Sequence, residues 1–190
     1  MLKVAIVGNI ASGKSVTEKF LQNQGFPVLD TDKVCHKLLE ELPLIKEAFK
    51  DYDVFENSKL SREKLGKLVF NYPELKNKLE MILYPELKLN IEEFFSANAT
   101  SEFTFVAIPL LFEAGMEALF DKILFIYCDD DIRLKRLIER NGYSEDYARI
   151  RMDAQLAQDF KVSKADFVIY NNSTVENLQM ELSRLIEQIR

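Results

Sequence analysis

Tryptophan is absent from this chain, histidine occurs once, and only two cysteines are present among 190 residues. The single histidine, His36, has no serine or cysteine around which a hydrolytic triad can be assembled, so it reads as a structural or supporting residue. Cys35 and Cys128 lie far apart and match no metal-ligand spacing, as expected of free thiols in a reducing compartment. No apolar run approaches the roughly 20 residues that a bilayer-spanning helix needs. The N-terminal run Met1–Gly8 is too short for a secretory core and leads directly into a Gly-rich motif, so a cytoplasmic protein with no membrane association is expected. Positive charge is also scarce. A net charge of −6 provides no basic surface for counterion release, which argues against nucleic acid as a partner. A small polyanion would have to be held by a few local cations.

What is present is the composition of a folded domain, with 47% hydrophobic and 29% charged residues, a balance that excludes global disorder. No internal repeat or low-complexity tract interrupts the chain. Short apolar, β-rich runs alternate with longer helical stretches. Leu2–Val7 holds five apolar residues and one lysine and reads as a strand buried on both faces. A helix over 16–24 follows, with Gly25 as its stop. Further strands are expected over 26–30, 103–108, 122–127 and 167–170, and helices over 32–41, 61–70, 73–95, 131–140, 144–155 and 175–190. Pro85 is expected to bend or divide the long helix over 73–95, and no strand is expected between 43 and 97. Leu178, Leu182, Leu185 and Ile189 recur at helical spacing and read as core. The alternation predicts an α/β fold: one domain over 1–190, a parallel five-stranded sheet flanked by helices, with helical insertions over 42–97 and 129–160. Right-handed crossovers then bring ligands to the carboxyl ends of the strands.

Gly8-Asn9-Ile10-Ala11-Ser12-Gly13-Lys14-Ser15 fits G-x-x-x-x-G-K-[ST] without mismatch, with a strand before it and a helix starting by Val16. Glycines permit the backbone conformations that turn successive N–H groups toward phosphate oxygens, and the helix N-terminus adds partial positive charge. Lys14 is expected to reach the β- and γ-phosphates of a nucleoside triphosphate, with ATP the expected donor, and Ser15 to place its hydroxyl on Mg²⁺. Asp30-Thr31-Asp32 follows the second strand. Transfer to an alcohol needs a group that accepts its proton, and Asp32 is the candidate, with Asp30 as the helix cap. Arg133, Arg136 and Arg140 are spaced by three and four on one helix face, and Arg149 and Arg151 lie beyond Asn141-Gly142. Arginine suits phosphate because its planar fork donates two hydrogen bonds and stays charged. Arg140, beside the turn, is the candidate lid residue; the alternative for each arginine is a solvated face paired with Glu139, Glu145 and Asp146. The third strand ends in Ala107-Ile108-Pro109 without the usual acid. Glu113 or Asp32 could assist Mg²⁺ through water.

Beyond the phosphate loop, several segments resemble the dephospho-coenzyme A kinases, a family of P-loop kinases of small molecules. The likeness is carried in order by Asp30-Thr31-Asp32, by Leu60–Phe70, by Leu79–Pro85, by Pro109-Leu110-Leu111-Phe112-Glu113, by Arg151–Gln155 and by Ala165–Asn172, and it covers nearly the whole chain. The resemblance implies a P-loop NTPase fold akin to nucleoside monophosphate kinases, with a helical substrate-binding insertion and a lid. It further implies phosphorylation of the ribose 3′-hydroxyl of dephospho-coenzyme A by ATP and Mg²⁺. On that likeness Asp32 is the catalytic base, Lys14 and Ser15 serve ATP and the metal, and Arg140 reaches the phosphates. Asn171 would then lie near the adenine, and Arg62, Tyr84, Pro109 and Leu110 would serve the acceptor. Asn9 and Ala11 stand where the family often has glycine, and Tyr84 where it commonly has histidine. A tyrosine can donate a hydrogen bond but is not cationic at neutral pH. A monomer is expected. The alternatives are another small-molecule kinase, such as a nucleoside monophosphate kinase, or a GTP-dependent switch; the latter lacks an N-K-x-D motif and a D-x-x-G after the third strand.

Overall fold

A computed structural model describes residues 1–57 and 59–190. In chain order the elements are β1 (Leu2–Val7), α1 (Lys14–Asn23), β2 (Val28–Asp30), α2 (Thr31–Glu41), α3 (Pro43–Ala48), β3 (Phe55–Glu56), β4 (Lys59–Leu60), α4 (Arg62–Asn71), α5 (Pro73–Ala97), β5 (Phe103–Ala107), β6 (Lys122–Tyr127), α6 (Asp130–Asn141), α7 (Glu145–Asp153), α8 (Gln158–Lys164), β7 (Phe167–Tyr170) and α9 (Val175–Ile189). A short 3-10 turn, Glu117–Leu119, precedes β6. The chain divides into two compact units, one made of 1–29 with 98–190, the other of 30–97.

The first unit carries a five-stranded sheet ordered β2-β5-β1-β6-β7. β1 pairs in parallel with β5 on one side and with β6 on the other, and β6 pairs in parallel with β7. This central place explains why Val4–Val7 is an uninterrupted apolar run: both faces are covered and all four residues are at most 1% exposed. One face is sealed by Phe20 and Leu21 of α1 and by Leu178, Leu182 and Ile186 of α9. The stripe on α9 is thus centred on Ile186, with Leu185 and Ile189 only partly buried at its flank. α6 ends at Gly142 in the left-handed region (φ 67), and Ser144 and Thr174 cap α7 and α9 by accepting from the Tyr147 and Asn177 amides. A smaller apolar cluster joins α6 to α7 through Leu134, Leu137, Ala148 and Met152, with Ile10, Ala11, Ile138 and Tyr143 packed against it.

The second unit is a helical assembly in which α2, α3 and α4 pack on α5. Leu75, Leu83, Leu87, Ile91 and Phe95, at multiples of four, form the buried face of α5. That face carries α5 through Pro85 as one 25-residue helix, so of the expected bend or division at Tyr84-Pro85 the division does not occur. Proline in a helix interior costs about 3 kcal/mol, and five buried apolar side chains outweigh it. Two strands also occur where none was expected: β3 and β4 pair antiparallel, Phe55 with Leu60 and Glu56 with Lys59. At two residues each they are too short to show the alternation that marks a strand in sequence. Helices α3 and α8, six and seven residues long, escape the same way.

Candidate active site

The Gly8–Ser15 loop connects the buried end of β1 to α1. Gly13 is the N-cap of α1 at φ 106, a conformation that side chains resist, and a Cβ there would collide with the Asn171 amide. A Cβ on Gly8 would strike Ser12 Oγ and press on the Ile126 carbonyl. Ala11 adopts φ 63 although it is not glycine. The loop is braced at several points. Ser12 N–H donates to the Asn9 carbonyl (3.0 Å), Ile10 N–H to Gln155 Oε1 (2.7 Å), Asn9 Nδ2 to the Leu156 carbonyl (3.0 Å) and Asn171 Nδ2 to the Ser12 carbonyl (2.7 Å). The N–H groups of Gly13 and Ser15 find no acceptor among the described residues, and no side chain caps α1. Two open amides at a helix N-terminus, with the partial positive charge of the helix behind them, form a receptor for a phosphate oxygen.

Lys14 Nζ lies 2.9 Å from Glu18 Oε1, with the two side chains 12% and 8% exposed. Ser15 is exposed and Val16 half-buried. Glu18 is a residue the motif does not mention; its place four positions after Lys14 is the helical pairing distance, the one signal available in sequence. Asn171 is buried at the end of β7, with its amide engaged on the loop.

In the second unit the two acids after β2 separate in role. Asp30 caps α2, accepting from the Asp32 N–H at 3.0 Å and meeting Lys33 at 3.2 Å. Asp32 is exposed in the first turn of α2. Burial pushes the Cys35 thiol up to about 11, and the negative charges of Asp32 and Asp30 add to the shift. His36 is exposed on the same helix. Arg62, the first residue of α4, is exposed, and Tyr84 is partly buried in mid-α5.

The arginines of α6 share a face but not a role. Arg133, 3% exposed, pairs with Asp130 at 2.7 Å and donates to the Ile10 carbonyl at 3.4 Å. Arg136 donates to the Ser173 carbonyl and to Cys128 Sγ. Both brace the fold. Arg140 is exposed, with its Nε on Asn141 Oδ1. On α7, Arg149 pairs with Glu145 at 2.7 Å, whereas Arg151 is exposed with no ion pair among the described residues. After β5, Pro109 is partly buried and Leu110 exposed. Glu113 is engaged within the chain: its Oε1 lies 2.8 Å from Lys161 Nζ and accepts from the Leu156 N–H at 3.4 Å. No group of three or more His, Cys, Asp or Glu side chains suited to a metal occurs among the described residues. Of the loop's two hydroxyls, Ser12 is buried and Ser15 is the exposed hard oxygen donor.

Residues 2–177 match the family model described as dephospho-CoA kinase. The chain belongs to the dephospho-CoA kinase family. A dephospho-CoA kinase of Geobacillus kaustophilus is 36% identical over 193 residues, covering 98% of this chain and 96% of that protein. Among solved structures, TT1252 from Thermus thermophilus superposes with a TM-score of 0.89 at 30% identity, over 100% of this chain and 98% of that one. A dephospho-CoA kinase from Campylobacter jejuni does so with a TM-score of 0.76 at 30% identity, over 98% and 96%. The parallel sheet with its phosphate loop after the central strand is therefore the fold of a dephospho-CoA kinase, and the arginines of α6 and α7, Asp32 and the Pro109–Glu113 segment all lie within the matched residues.

Proposed function

We propose that this chain transfers the γ-phosphoryl group of ATP to the ribose 3′-hydroxyl of dephospho-CoA, giving CoA and ADP. The observation that carries the reading is the braced loop with the open amides of Gly13 and Ser15 beside Lys14, in a chain of this family. The 3′-oxygen attacks the γ-phosphorus, the bond from that phosphorus to the β,γ-bridging oxygen breaks, and the hydroxyl proton passes to the Asp32 carboxylate. Lys14 serves the β- and γ-phosphates. The residues from Gly8 to Val16 hold the triphosphate, with Asn9, Ile10, Ala11 and Ser12 shaping the loop. Asn171 serves the nucleotide side through the Ser12 carbonyl it holds. Arg140, exposed at the end of α6, neutralises charge that develops on the transferring group. Arg62, Tyr84, Pro109 and Leu110 serve the acceptor.

A hydroxyl such as Ser15 suits Mg²⁺, which prefers oxygen ligands and retains water and phosphate oxygens rather than a full protein cage. Held by the Ser15 hydroxyl, the ion would offset the negative charge of the phosphates during transfer. Among the described residues no helix is long and apolar enough to cross a membrane, and free thiols with net acidity support a cytoplasmic enzyme acting as a monomer. Incubating purified protein with ATP, Mg²⁺ and dephospho-CoA, and following CoA by mass spectrometry, tests the reading. Turnover of a nucleoside monophosphate with none of dephospho-CoA would assign the chain to a different acceptor.

A further inference from the structure

The phosphate loop is held by a part of the chain that lies far from it in sequence. Gln155, just past the end of α7, accepts the Ile10 N–H at 2.7 Å across 145 residues. The next residue is fixed on both sides of its peptide unit: its carbonyl takes the Asn9 side-chain amide at 3.0 Å, and its N–H points at Glu113 Oε1 at 3.4 Å. Glu113 is in turn set by Lys161 at 2.8 Å. The Lys161 side chain is 0% exposed and this is its only close partner among the described residues. The ammonium–carboxylate distance is short, yet Lys161 Nζ makes no hydrogen bond of good angle, so the pair acts as a buried charge contact. Residues 155 and 156 thereby join the loop after β1 to the loop after β5, both within one unit.

The geometry points to Gln155 as a positioning residue that sets the phosphate loop through the Ile10 amide; the inference rests on the nucleotide-binding reading of that loop. Two facts give the bond a consequence. First, Ile10 and Ala11 precede the turn that presents the Gly13 and Ser15 amides, and Ala11 holds a left-handed conformation that alanine does not favour. Without an acceptor for its N–H, Ile10 has less to hold it there, and a loop that is less often in its binding form binds more weakly in proportion. Second, Ile10 packs on the α6–α7 cluster, so the same contact ties the lid base to the loop. Gln155 reaches the loop's backbone, and its role is to set the binding form of the cradle.

The test uses the full chain and two readouts that need no acceptor. Amide exchange by NMR reports on the Ile10 N–H itself, and calorimetry reports on Mg²⁺–ATP affinity. Gln155→Leu, which keeps size and removes the acceptor, is expected to speed Ile10 exchange by about tenfold or more. It should also raise the Kd for ATP about fivefold, the scale of one lost hydrogen bond. Gln155→Asn, one methylene too short to reach, is expected to give the same pattern with polarity kept. Gln155→Glu retains an oxygen at the same reach and should keep Ile10 protected. Ile10 exchange unchanged within twofold in both Leu and Asn variants overturns the proposal. So does a lowered melting temperature with the ATP Kd unchanged, since that is the mark of a packing role alone. Because neither readout involves dephospho-CoA, failure of the chain to make CoA would reject the acceptor assignment and leave this result standing.

Discussion

At the scale of single residues, the two carboxylates after β2 show how position decides chemistry. Asp30 is committed to the α2 cap, while Asp32 projects from the first turn with its side chain exposed. Asp32→Asn is therefore expected to lower turnover by about 100-fold or more, the contribution of a lost general base, while ATP binding measured by calorimetry stays within about twofold. Cys35, one turn further on, makes a separate prediction. Its thiol is pushed from an ordinary 9.0 to about 11, first by burial and then by Asp32 and Asp30. A raised value means that the folded chain keeps the proton longer than the unfolded chain does. The stabilisation is fully present below pH 9 and is lost as pH rises through 11. Urea unfolding at pH 8 and pH 11 should show wild type losing more stability than Cys35→Ala over that window. Alkylation of Cys35 at pH 8 should be about tenfold slower than that of an unperturbed thiol, because its smaller thiolate fraction outweighs the higher nucleophilicity of a more basic thiolate.

Much of this was legible in the sequence, for reasons that differ from residue to residue. Gly8, Gly13, Lys14 and Ser15 carry a motif whose spacing is fixed by phosphate geometry, and Asp30 announces itself as a cap by preceding a helix. Lys161 gave no such signal. A lysine in a short amphipathic segment reads as solvated, and its burial depends on a glutamate from another loop. Arg133 and Arg136 were readable as a face but not as braces, because their partners Ile10 and Ser173 come from distant loops.

At the scale of elements, α6 and α7 place their arginines in three distinct situations: braced, paired and exposed. Arg140, at the end of α6, has a neutral neighbour, Asn141, as its hydrogen-bond acceptor. Arg140→Ala is expected to lower kcat at least tenfold while changing the KM for ATP by less than about threefold, because the charge it meets develops during transfer. A change confined to KM in steady-state kinetics would make Arg140 an ordinary ground-state ligand. The buried strands were readable from their apolar runs: β6 and β7 lie where those runs placed them, Lys122–Tyr127 and Phe167–Tyr170. The departures came from tertiary packing, which kept α5 whole through Pro85, and from elements too short to carry a period, as in β3, β4, α3 and α8.

At the scale of the whole molecule, nucleotide binding to the folded chain alone must raise its stability by mass action. ATP at about 100 times its Kd adds roughly 2.7 kcal/mol, which for a chain of this size raises the melting temperature by about 5–10 °C. Differential scanning fluorimetry with equal concentrations of ATP and GTP should show the larger shift with ATP. A larger shift with GTP would favour a switch protein over a kinase. The sheet adds a consequence of its own. β1 has a strand on either side and is inaccessible over its last four residues, whereas β2 and β7 form the two margins. Sheets come apart from their margins inward, where fewer neighbours hold each strand. The loop ending at Ser15 hangs from the strand that lets go last. Its clamp comes partly from a margin, however: Asn171, just past β7, holds the Ser12 carbonyl, so a chain warmed toward collapse should loosen its hold on nucleotide as that border frays.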